Sequence, residues 1–128
     1  MNEINKCLHK VFDYLGTGYK EHIYVNAVII ELRNLNYKFQ NEVIVPIMYD
    51  NVQIGYERAD IVIYEPISAV LEFKAQTMSL QKKDNMQLKK YQSNLDISLG
   101  VLVNFGGNTL EIIENDTSKT IDVRDYSL

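Results

Sequence analysis

The sequence predicts a mixed α/β fold in one domain spanning residues 1–128. Three observations carry this reading. Apolar residues recur at helical spacing through the first 35 residues. From 37 to 75 the pattern becomes strand-like, with turn residues between the runs. A lysine-rich helical stretch then separates this block from the strongly apolar run LGVLVNFG.

The elements follow in order. Ile4, Cys7, Leu8, Val11, Phe12 and Leu15 form the buried stripe of a first helix over 4–15, and Gly-Thr-Gly at 16–18 breaks it. Ile23, Ala27, Val28, Leu32 and Leu35 mark a second helix. YKFQNEVIVPIMY is one extended strand or two joined pieces, and Pro46 places it at an edge or a bulge, since proline cannot donate to a ladder. Asp50-Asn51 makes a hairpin turn into VQIGYERADIVIY, and Glu65-Pro66 turns that strand into SAVLEFKA, so the three form a meander. Ser79 is the expected cap of a helix over 80–93, with Leu80, Asp84, Leu88 and Leu95 on one stripe. LGVLVNFG suits the centre of a sheet, and Gly106-Gly107-Asn108 turns it into an antiparallel neighbour, TLEII. TIDVRDY is expected to add a short last strand. The order is α-α-β-β-β-α-β-β.

Composition narrows the function classes. A 46% hydrophobic share over 128 residues is enough for a core without staples. The lone Cys7 cannot form an internal disulfide, which points to a reducing, intracellular setting. No long uncharged apolar run predicts a membrane span, and the start has no signal-peptide core. The net charge of −4 argues against indiscriminate nucleic-acid binding. It is unevenly spread: Lys74 to Lys90 holds five lysines against Asp84, while Glu111 to Asp125 holds five acids against Lys119 and Arg124.

Certain polar residues do not fit an apolar strand. Asp60 enters the run IVIY, and Glu72 and Lys74 lie on one face of LEFKA. If those strands pair across Glu65-Pro66, Asp60 and Glu72 come close at one end of the sheet. Two adjacent carboxylates repel unless a proton or a divalent cation sits between them. Mg²⁺ or Mn²⁺ takes such oxygen ligands, and Lys74 would then orient a water or steady charge on a phosphate. A purely structural ion-pair group accounts for the same three residues. Glu21 opens the second helix, and Gly18, Glu21 and Tyr24 recur every three residues, suggesting a shared face where Glu21 could supply another oxygen. Gly18 would allow close backbone approach there. Gln87 and Tyr91 stack four apart on the later helix, and Lys82, Lys83, Lys89 and Lys90 could bind phosphates, or could simply form a solvated face. His9 and His22 have no metal-ligand spacing, and no phosphate-cradling glycine loop is present.

Taken together, these residues resemble a known family. GYKEHIY at 18–24 is similar to a Gly-x-x-Glu-x-x-Tyr signature, and RAD at 58–60, LEFKA at 71–75 and QLKKY at 87–91 are similar to the later blocks. The chain, from about residue 8 to about residue 113, resembles the GxxExxY proteins of the PD-(D/E)XK nuclease superfamily. Ala59 replaces the proline of the superfamily's name, and Asn36 stands where a glycine is usual. The resemblance implies a restriction-endonuclease-like fold, a mixed central sheet flanked by helices with an α-β-β-β-α-β core. It implies Glu21, Asp60 and Glu72 as Mg²⁺ (or Mn²⁺) ligands, Lys74 as the catalytic lysine, and Gln87 and Tyr91 on the adjoining helix face. The expected function is a metal-dependent DNA endonuclease, acting on branched or repair-intermediate DNA. The alternatives are a nucleic-acid-binding protein on the same fold without turnover, and a structural or protein-interaction domain. A homodimer would supply two sites for two cuts.

Overall fold

The computed structural model describes residues 2–118. The elements are α1 (Asn2–Leu15), α2 (Glu21–Asn34), β1 (Lys38–Tyr49), β2 (Val52–Glu65), β3 (Ala69–Lys74), α3 (Lys82–Leu95), β4 (Leu99–Asn104) and β5 (Glu111–Asp116). The segment TIDVRDY lies outside the described residues.

The strands form one sheet in the order β1-β2-β3-β4-β5. β1, β2 and β3 make the antiparallel meander, β3 and β4 run parallel, and β5 returns antiparallel to β4. The parallel step requires a crossover, which α3 provides. β1 is one continuous strand at an edge of the sheet, where Pro46 is tolerated. At the hairpin tip, Asp50 and Asn51 adopt φ of 50° and 65°, the left-handed pair whose twist matches that of the flanking strands. Asn36 takes the left-handed conformation after α2, at φ 59°.

Two cores lie on the two faces of the sheet. α1 and α2 bury Ile4, Leu8, Val11, Tyr24, Val28 and Leu32 against Ile61, Leu71, Phe73, Val101 and Val103. α3 buries Leu88 and Tyr91 against Val45, Ala59, Val62, Val70 and Leu102. Strand alternation explains β3 and β4, whose odd-numbered residues face the first core and even-numbered residues the second. It fails in the first hairpin. Ala59 and Ile61 are two apart yet belong to opposite cores, and so do Val43 and Phe39, which are four apart. The face therefore switches between the Asn41–Ile61 and Val43–Ala59 pairs, where Glu42 has φ 52° and Asp60 lies across from it. Beyond this point the outer hairpin packs over α3.

The start of α3 corrects the expectation of a Ser79 cap. The helix begins at Lys82, and Asp84 Oδ2 accepts the Gln81 backbone N–H at 2.9 Å. Residues 76–80 are held outside the helix by tertiary bonds. Asn104, fully buried, accepts the N–H groups of Gln76 and Gly106 (both 3.0 Å). Its amide donates to the carbonyls of Gln76 (3.0 Å) and Met78 (3.2 Å) and to Glu111 (3.1 Å). Glu111 in turn accepts the Leu80 N–H at 3.2 Å. Helix formation would have to break this set, so it waits until residue 82.

Candidate functional site

Asp60 and Glu72 stand opposite each other, one step beyond the Ile61–Leu71 pair. Each carboxylate is gripped by the other strand's backbone. Glu72 Oε1 accepts the Asp60 N–H at 2.8 Å, and Asp60 Oδ2 accepts the Phe73 N–H at 2.8 Å. This reciprocal clamp replaces ladder bonds at the end of the β2–β3 pairing and leaves one further oxygen on each acid. Glu72 and Lys74 lie on the α3 face of the sheet with Val70, and Asp60 meets Glu72 where the β1–β2 hairpin changes face.

The electrostatics are those of acids held in too little water. Glu72 is only 5% exposed, and its pKa is pushed up to about 8, first by burial and next by the Asp60 charge. The Asp60 N–H and Lys74 oppose the rise. Burial likewise raises Asp60, partly offset by the Phe73 N–H and Lys74, while Glu42 adds to the rise. Glu21 is raised by burial and then by Asp60, with Lys74 opposing. All three acids therefore feel Lys74, and Glu21 feels Asp60, although it comes from a different layer.

α3 closes the site from the side. Lys74 Nζ donates to Gln87 Oε1 at 3.5 Å, at the long end of hydrogen-bond reach. Gln87 Nε2 and the Tyr91 hydroxyl both donate to Glu57 Oε2 at 3.5 Å. Burial, followed by the charges of Glu72 and Glu57, holds the Tyr91 phenol well above its usual value, so it stays a donor. Glu57 was not singled out from the sequence. Only the packing of Ala59, two residues on, under α3 reveals the face it shares with the site.

The expected Gly18–Glu21–Tyr24 face does not form as such. Gly18 precedes α2 at φ 107°, and an added Cβ would meet nothing within 4 Å. The glycine serves backbone conformation rather than close packing. Tyr24 is fully buried, stacked on Phe105 at 4.6 Å, and donates its hydroxyl to Gly16 O at 2.7 Å. It shapes the loop that delivers Glu21 to the end of the sheet. Glu21 is the first residue of α2 and is half-buried.

The four lysines of α3 divide by helical spacing. Lys83 and Lys90 share the stripe of Gln87, at i, i+4 and i+7, and so flank the site. Lys82 and Lys89 follow the stripe of Asn85, whose Oδ1 accepts a bond from Asn115 on β5, away from the acids. All four are exposed.

Among the described residues no three His, Cys, Asp or Glu side chains converge as a metal-holding group. The donor set is instead a pair of hard carboxylates, each with an oxygen left over and each penalised for its charge. Such a pair fits a cation that keeps most of its waters and shares its shell with substrate phosphate, as Mg²⁺ does. Among the described residues no helix is long and apolar enough to cross a membrane.

Comparison with known proteins places this geometry. No curated protein matches the chain. The crystal structure of SSO0001 shares its fold, with a TM-score of 0.55 at 23% identity, over 75% of this chain. This chain spans about half of that one, 50% of its length. A family model described as the PD-(D/E)XK nuclease superfamily matches residues 1–114, a span that holds the acid pair, the lysine and strands β1 to β4. The chain belongs to the PD-(D/E)XK nuclease superfamily.

Proposed function

We propose that the protein is a metal-dependent DNA endonuclease built as one nuclease-like domain. The observation that carries this reading is the clamped Asp60–Glu72 pair with Lys74 two residues along the same strand face. Asp60 and Glu72 would hold Mg²⁺ or Mn²⁺, with Glu21 contributing from the start of α2. The ion would supply Lewis-acid stabilisation of the charge that builds on the phosphate.

The remaining work falls to side chains. The Lys74 ammonium, steadied by Gln87, orients the attacking water or neutralises a phosphate oxygen. The water oxygen bonds to phosphorus as the bond to the leaving sugar oxygen breaks. Glu57 fixes the amide of Gln87, and Tyr91 shares that acceptor. Lys83 and Lys90 contact phosphates beside the site, and Lys82 and Lys89 reach phosphates farther along the duplex. Branched or repair-intermediate DNA is the preferred substrate on this reading.

The test is cleavage of plasmid, linear and branched DNA with Mg²⁺ or Mn²⁺. The controls are Asp60→Asn and Glu72→Gln, whose amide oxygens can still accept the clamp bonds. Wild-type activity should exceed both variants by at least about a hundredfold. Equal rates in all three would remove the nuclease reading.

A further inference from the structure

Beyond the face switch, the outer hairpin presents a second face that no other described element packs against. Val43, Val45, Ala59 and Glu57 turn toward α3. The alternate row, Ile44, Pro46 and Met48 on β1 with Arg58 and Tyr56 on β2, turns away from it, and Ile54 lies beside the row at the register shift between the Ile47–Gly55 and Met48–Gln53 pairs. Ile44 is 53% exposed, Met48 54%, Ile54 65% and Tyr56 54%.

Isolated exposed apolar residues need no explanation, but a contiguous row does. At on the order of 100 Å² apiece, the four large side chains expose roughly 400 Å² of apolar surface. Nucleic acid is a poor occupant, because Arg58 is the row's one cation and backbone binding needs several. Edge-to-edge strand pairing is also disfavoured, because Pro46 removes an N–H from the middle of β1. What remains is face-to-face packing of apolar sheet surfaces.

Charge placement selects a second copy of this chain. Arg58 lies across from Ile44 at the inner end of the row, its guanidinium 5.8 Å from the Tyr56 ring centre. Asp50 lies at the tip. Ile47, paired with Gly55, is midway between Ile44 and Asp50. A two-fold axis through this midpoint lays each hairpin over the other, tip to base. Arg58 of each copy then meets Asp50 of the other, with apolar side chains between. We propose that the protein forms a two-fold dimer through the outward faces of its β1–β2 hairpins. The row and its charged rims bury roughly 1,000 Å² in all, below the stable-interface range, so the dimer is reversible and concentration-dependent.

Sedimentation or light scattering of the full chain should show its mass rising from one chain to two as concentration increases through the micromolar range. Tyr56→Glu should weaken association at least about tenfold. Arg58→Glu should weaken it about threefold to tenfold by facing Asp50 with a like charge, and adding Asp50→Asn should restore part of the loss. The altered side chains are exposed, and an unchanged thermal melt would confirm that each variant folds. A wild type that stays monomeric at its highest soluble concentration overturns the proposal, as does a dimer indifferent to these changes. A monomer whose Tyr56→Glu variant binds DNA more weakly also overturns it, assigning the face to nucleic acid. None of these readouts depends on nuclease activity.

Discussion

Replacing Glu72 by glutamine should stabilise the protein and flatten its response to pH. In the folded chain this carboxyl is raised from an ordinary 4.5 to about 8, so the native state holds a proton that the unfolded state has released. Between those values stability falls as pH rises, because the native state binds more protons than the unfolded one. Below 4.5 the penalty is absent, and above 8 it is complete. The full difference corresponds to about 5 kcal/mol, of which about 3 kcal/mol is present at pH 7. Asp60 carries part of the same repulsion, so 3 kcal/mol is a ceiling for one substitution. Glutamine keeps an oxygen for the Asp60 N–H and removes the buried charge. We therefore expect Glu72→Gln to gain about 1–3 kcal/mol at pH 7. Urea denaturation at pH 5, 6, 7 and 8 measures it. Wild type should lose stability across this range, and the variant should lose much less. Added Mg²⁺ should stabilise wild type more than the variant. Equal pH slopes, or a variant less stable than wild type at pH 8, would refute the electrostatic reasoning.

Three further outcomes follow from the packing. Asn104→Ala should cost about 3 kcal/mol or more, because it strips partners from the buried polar groups of the 76–80 connection, and hydrogen exchange there should accelerate. Gly106→Ala should be comparably damaging, since its Cβ would clash with the backbone of Ala75 and Gln76, and a thermal melt reads the loss. Tyr24→Phe should keep the Phe105 stack but lose the bond to Gly16, costing about 1–2 kcal/mol by denaturant titration.

Much of this arrangement was legible in the sequence because it obeys simple periods. The helical spacing of Ile4, Cys7, Leu8 and Val11 located α1, and those residues are buried. Symmetry about the Glu65-Pro66 turn put Asp60 near Glu72, and the strand register does so. What stayed hidden depends on backbone conformation or on distant partners. No period reveals that Glu42 turns left-handed and moves the hairpin from one core to the other. Gly18 fits a three-residue spacing but lies outside the helix, because its positive φ bends the chain before α2 begins. Ser79 looks like a cap, yet Asn104 and Glu111, 25 or more residues away, hold its neighbours outside the helix. Asn104 did leave a trace, as a polar residue closing an apolar strand, where a buried amide requires partners.

The reciprocal clamp between β2 and β3 also bears on how such a site can be lost. On the proposed function each acid is a metal ligand, and each is also the acceptor for a main-chain donor on the neighbouring strand. A descendant that discarded Glu72 alone would strand the Asp60 N–H, and one that discarded Asp60 would strand the Phe73 N–H. Decay is thus expected in pairs, or through isosteric amides that keep the acceptors while abandoning the charge. The backbone alone is thus a reason to retain acceptors at the two positions, and on the proposed function an Asn–Gln pair here would be the signature of a lineage that kept the architecture after giving up the chemistry.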